Sequence, residues 1–244
     1  MVRQQPDVIF TTSSLIARPL KAATATIPIV VFVSDLVASG LVSSLARPGG
    51  NITGVSDDAG PEIWGKRLGL IRELIPGASR VGYLVSREYA GSPGWAALRE
   101  AAQQAGISLV GPPLEGTIQE TEYRRVFKLM TQERADALIV SYQSEHHEYS
   151  RLIIELAEQS RLPALYPFRF WAEQGGLIVY GIDSVDHYRR AAGYIVRILQ
   201  GAKPSELPID QATKIELIIN LKTAKTLGLT VPQILLAGAD EVIK

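Results

Sequence analysis

Along this chain, short β-rich apolar runs are each followed by a polar or glycine-containing loop and then an amphipathic stretch. That alternation restricts the fold more than any other feature. The strand windows are residues 7–10, 28–33, 80–85, 108–111, 135–140, 163–166 and 177–180. Their nearly continuous apolar character suits strands covered on both faces, as in parallel sheets. Between them Trp64, Leu68, Ile71 and Ile75 recur at helical spacing, as do Tyr149, Leu152, Ile153, Leu156 and Ala157, and later Val185, Tyr188, Ala192, Ile195 and Leu199. The expected class is α/β, built from doubly wound parallel sheets.

Turn and cap residues set the expected boundaries. Ser92-Pro93 offers an N-cap with proline in the first helical turn, and Gly106 closes the helix through Leu98 and Ala102. Pro76-Gly77 ends the helix through Leu70 and Leu74. The pattern pauses at residues 55–61, 181–186 and 202–210, which read as crossings between two lobes. Residues 129–140 run from a helix tail through a polar turn into an aspartate and an apolar strand. Residues 1–10 repeat that unit with its helix cut away, so the chain reads as starting inside a longer fold.

Charge and composition remove several functional classes. The 244 residues are 46% hydrophobic and carry 25 acidic against 25 basic side chains, so no net field gathers nucleic acid or an anionic membrane. Cysteine is absent, which excludes a disulfide framework, a thiolate nucleophile and a thiolate metal site. No apolar run reaches the roughly 18 to 20 residues of a membrane span, and residues 1–6 carry no export signal. His146-His147 lacks the His-Glu-x-x-His order and reads as the solvated first turn of a helix. Residues 91–94 miss a nucleophile elbow because Ala90 replaces its first glycine. The expectation is a chain with no catalytic residues, no metal and no cofactor; an enzyme of flavodoxin-like fold is the most distant reading.

Two blocks carry a family resemblance. One is Ser44-Leu45-Ala46-Arg47-Pro48-Gly49-Gly50-Asn51-Ile52-Thr53-Gly54. The other opens at Gly201-Ala202-Lys203-Pro204, continues through Thr213-Lys214-Ile215-Glu216-Leu217-Ile218-Ile219-Asn220 and closes on Leu235-Leu236-Ala237-Gly238-Ala239-Asp240. Together they resemble the solute-binding proteins of ABC importers in the tryptophan/tyrosine-binding group, and the similarity runs from Met1 to Lys244. The resemblance implies a two-lobed type I periplasmic binding fold, each lobe a doubly wound parallel sheet. Residues 1–56 with 184–208 would form a truncated amino lobe, lacking two βα units, and residues 57–183 with 209–244 the carboxyl lobe. It also implies an extracytoplasmic carrier, periplasmic or lipid-anchored, that closes on a small-molecule solute and meets ABC permease subunits. Such a carrier is expected to be a monomer when complete and a dimer when truncated. The rival expectation is the effector-sensing domain of a transcription regulator, which uses the same fold.

Ligands of doubly wound sheets collect beyond the carboxyl ends of the strands. After the first strand come Thr11, Thr12, Ser13 and Ser14, whose N–H groups and hydroxyls suit a carboxylate. Asp35 follows the second strand and suits a ligand ammonium. By residue type alone, a helix-cap role is the favoured reading for Ser13 and for Asp35. On the other lobe the strand-end candidates are Ser86, Tyr142, Tyr166, Arg169 and Asp183. The tyrosines suit a flat or apolar group, Phe170 and Trp171 read as packing, and the Arg169 guanidinium has a second reading as partner of a hinge carboxylate. Chemistry and resemblance together point to an amino acid with an aromatic or apolar side chain.

Overall fold

The computed structural model describes residues 2–34, 36–211 and 214–244. In chain order the elements begin with β1 (Ile9–Thr11), α1 (Ser14–Ala23), β2 (Ile29–Val33), β3 (Ile52–Ser56), α2 (Glu62–Leu74), β4 (Arg80–Leu84) and α3 (Pro93–Gln104). Next come β5 (Ser108–Val110), α4 (Glu120–Gln132), β6 (Ala137–Val140), α5 (Glu145–Glu148), α6 (Ser150–Gln159), β7 (Ala164–Tyr166) and α7 (Arg169–Glu173). The chain closes with β8 (Ile178–Ile182), α8 (Ser184–Leu199), β9 (Asp210–Gln211), β10 (Ile215–Asn220), α9 (Leu221–Thr226), α10 (Gln233–Gly238) and β11 (Glu241–Ile243). They divide into two compact units, Met1–Ala59 with Ile182–Lys214, and Gly60–Gly181 with Ile215–Lys244.

The first unit holds a four-stranded parallel sheet in the order β1-β2-β3-β9. Every residue of β2 and β3 is buried. Alternation explains how: Ile29, Val31 and Val33 join Ala17 and Leu20 of α1 in one core, while Phe32 on the other face meets His187 and Tyr188 of α8. At Gly54 φ is +144° and an added Cβ would stand 2.0 Å from the Val31 carbonyl oxygen, so only glycine fits the β2–β3 contact. The block at 44–54 is structural in the same way. Asn51 Nδ2 donates to the Thr24 and Ile27 carbonyls (3.0 and 2.7 Å), and Thr53 Oγ1 donates to the Leu207 carbonyl (2.8 Å). The segment 202–210, read from the sequence as a crossing, instead leads into β9, which pairs with Val55 and Ser56; composition alone cannot tell a crossing from an edge segment.

The second unit carries a seven-stranded sheet in the order β11-β10-β8-β7-β6-β4-β5. Helices α2 and α3 pack together, as do α4 and α6. Ser92 accepts from the Trp95 N–H (3.2 Å) with Pro93 in the first turn, the expected cap of α3. Gly181 is a second obligatory glycine, since a Cβ there would lie 1.8 Å from the Pro167 carbonyl oxygen. No helix among the described residues is long and apolar enough to cross a membrane.

Candidate functional site

In the second unit the connection order reverses at β4, which has β5 on one side and β6 on the other. Such a switch point opens a crevice beyond the carboxyl ends of the strands. Ser86 follows β4 there, and Ser141, Tyr142 and Gln143 follow β6. Gln143 locks the two strand ends together: its Oε1 accepts from the Ser86 N–H (2.7 Å) and its Nε2–H donates to Ser86 Oγ (2.7 Å). Ser141 Oγ lies 3.2 Å from the same Gln143 oxygen and 2.9 Å from His146 Nε2, and His146 Nδ1 lies 2.8 Å from the Tyr123 hydroxyl.

One tautomer satisfies the whole chain of bonds. Tyr123 donates to Nδ1, Nε2–H donates to Ser141, Ser141 donates to Gln143, and Gln143 donates to Ser86. The series ends on the Ser86 hydroxyl, whose own proton has no acceptor among the described residues. Burial pulls the His146 imidazole down to about 3, so it is neutral at neutral pH. The solvated first turn expected from the sequence is therefore corrected at His146, which is fully buried because both ring nitrogens find partners beneath β4 and β6. His147 stays exposed.

Beside this network stands an aromatic cluster that no single sequence motif connects. Trp64 of α2 meets Tyr83 of β4 edge-on (5.6 Å between centroids) and Tyr142 likewise (6.0 Å). Against both rings packs the wholly buried Arg67, its guanidinium carbon 5.1 Å from the Trp64 centroid and 4.5 Å from that of Tyr142. Arg67 Nε and Nη2 both donate to the Tyr180 carbonyl (3.0 and 2.7 Å). The one signal in the sequence is an arginine inside an apolar helical stripe, since Ile63, Trp64, Leu68, Ile71 and Leu74 are the buried residues around it. Tyr83 stacks on Trp95 (5.4 Å), and the two rings wall a cavity of about 210 Å³ with Val85, Leu109 and Pro113.

In the first unit the strand ends present hydroxyls and aromatic rings. Thr12 is exposed, and Ser13 takes the N-cap position of α1 with extended backbone. Its hydroxyl nevertheless makes no capping bond, and its N–H is held by Thr11 Oγ1 (3.2 Å). The N-cap reading of Ser13 thus has the position and lacks the bond. Asp35 lies outside the described residues. Asp183 caps α8 through the Asp186 N–H (3.1 Å) and pairs with Lys214 Nζ (2.8 Å).

The ABC transporter substrate binding protein family model matches residues 1–243. The chain belongs to this family. A conserved domain protein from Vibrio cholerae is 27% identical, with a TM-score of 0.89 over 99% of this chain and 80% of that one. A Streptococcus pneumoniae ABC domain in complex with L-Trp is 28% identical, with a TM-score of 0.85 over 97% of this chain and 81% of that one. The tyrosine-binding protein of Clostridioides difficile is 26% identical over 230 residues, 93% of this chain and 65% of the relative, so this chain spans about two thirds of that relative's length.

Two candidates of this substrate-binding protein sit in structural roles. Tyr166 is 1% exposed, stacked on Trp171 (4.9 Å) with Gly176 pressed against its ring. Arg169 donates to Glu216 (2.6 Å) and to Glu241, and these carboxylates raise the guanidinium pKa further. The second reading of Arg169 is as the partner of a hinge carboxylate; its carboxylate partners here belong to β10 and β11. Ser86 and Tyr142 are the candidates that the second unit does bring together, through Gln143 and the end of β6.

Proposed function

We propose that this chain is the extracytoplasmic solute-binding subunit of an ABC importer, and that its solute is a small carboxylate with an aromatic or apolar side chain, most simply an amino acid. The observation carrying this reading is the switch-point assembly: a pre-oriented Ser86 hydroxyl at the end of β4 and the Tyr142 ring at the end of β6, a pair that suits a flat solute bearing one polar group. The tryptophan complex and the tyrosine-binding relative support the same solute class. Thr12, Ser13, Asp35 and Asp183 of the first unit remain proposed contacts, and ABC permease subunits the proposed membrane partner. An effector-sensing domain of a regulator is not favoured, because the family matched over residues 1–243 is one of substrate-binding proteins.

Calorimetry against the twenty amino acids and a panel of sugars tests the reading, with mass spectrometry of the recovered ligand. Saturable binding of tryptophan, tyrosine or an apolar amino acid, returned unchanged, is the expected result. Binding confined to sugars, or chemical conversion of the ligand, overturns it.

A further inference from the structure

Among the donors of the second unit that are buried without a partner, two belong to residues packed against Trp64. One is Nη1 of Arg67; the other is the hydroxyl of Tyr83, a residue only 2% exposed. Native proteins rarely leave such groups unsatisfied, and a guanidinium withdrawn from water needs compensating charge. Among the ion pairs of the described residues none includes Arg67. Its present compensation is the two mutually edge-on rings of Trp64 and Tyr142 and a single carbonyl, that of Tyr180. Rings and a carbonyl supply partial charges, so a full negative charge is the missing complement.

We propose that Arg67 and Tyr83 form a buried receptor for the solute's carboxylate, with the partly exposed Tyr142 ring as its cover. This rests on the solute-binding reading and assigns the carboxylate to the second unit, whereas residue types alone place it at Thr12 and Ser13. A carboxylate has two oxygens and about four acceptor sites, enough to take one N–H from Arg67 and the O–H from Tyr83 at once. The phenol suits this role, because burial keeps it protonated far above neutral pH while the Arg67 charge opposes that rise, so the two groups lie within electrostatic reach. Tyr142 lies across one face of the guanidinium, and rotation of that ring opens the way in.

The test is side-chain NMR of arginine-labelled protein, with the Arg67 signal identified by its loss in Arg67→Lys. Sodium acetate, L-tryptophan and L-tryptophanamide are titrated separately, the amide serving as the control without a carboxylate. Acetate and L-tryptophan are expected to shift the Arg67 resonance saturably and the amide to leave it in place. Tyr83→Phe, which keeps the ring and its packing, is expected to weaken acetate about tenfold or more, the scale of one hydrogen bond to a charged group. If L-tryptophan binds by calorimetry while neither it nor acetate moves Arg67, trapped water serves the two donors and the proposal falls, with the transport reading intact. If acetate moves Arg67 through Tyr83 and no amino acid binds, the receptor stands and the amino-acid class is lost.

Discussion

The Tyr123 hydroxyl and His146 Nδ1 lie 2.8 Å apart inside the second unit, where burial holds this histidine in its neutral form. The unfolded chain takes up a proton near 6.5, and the folded chain only near 3. Between those values the unfolded state binds more protons, so the contribution is complete above pH 6.5 and is lost as the pH falls toward 3. The slope is about 1.4 kcal/mol per pH unit for one group. Urea unfolding of wild type and His146→Asn at pH 7, 6 and 5 measures it; parallel pH dependences in the two proteins would count against the neutral imidazole.

Gln143 is expected to act on the solute through Ser86. Gln143→Leu removes the bonds that orient the Ser86 hydroxyl, and Ser86→Ala removes the hydroxyl itself. Each should weaken solute binding about tenfold, near 1.4 kcal/mol, with little further loss in the double mutant. Calorimetry of the four proteins checks this, and full additivity would show that the two residues act separately.

Arg169→Met should lower the stability of the second unit by about 2 kcal/mol, since it removes a charged partner of the buried Glu216 carboxylate, with some relief from the partial exposure of the site. Solute affinity should change less than about threefold, under 1 kcal/mol. A tenfold loss of affinity at unchanged stability would return Arg169 to the binding residues.

The first unit is expected to self-associate. β1 stands at the edge of its sheet, with Phe10 on the strand and Leu15, Ile16, Val185 and Leu199 exposed on the flanking helices. Light scattering after size exclusion should show dimers in the chain of residues 1–244, and Ile16→Lys should move them toward monomers. A monomer at every concentration would mean that the edge is self-protected.

How much the chain discloses in advance depends on how local each signal is. The run Ile29–Val33 is legible because all five residues are apolar and buried. Strand β3 is just as buried and falls outside the strand windows, since Thr53 and Gly54 follow a glycine-rich turn and read as loop. Its glycine makes sense only with the Val31 carbonyl in view. The strand Ile215–Asn220 also falls outside the strand windows, its residues entering only as part of a block of family resemblance. For the site, Ser86 and Tyr142 can be named because they end strands, whereas the Tyr123–His146–Ser141–Gln143–Ser86 series forms only when β4 and β6 lie side by side. Arg67 stays hidden because an arginine on a helix is ordinarily solvated, and its burial depends on rings contributed by α2 and the end of β6.

The aromatic cluster around Trp64 has a practical side. The chain's three tryptophans, Trp64, Trp95 and Trp171, all belong to the second unit. Intrinsic indole emission is therefore a one-sided reporter: it registers solute arriving at Tyr142 or melting of the seven-stranded sheet, and is silent when β1, β2 and β3 come apart. Far-ultraviolet dichroism sees the helices of both units, so the gap between an emission trace and a dichroism trace measures how independently the two halves of the chain unfold.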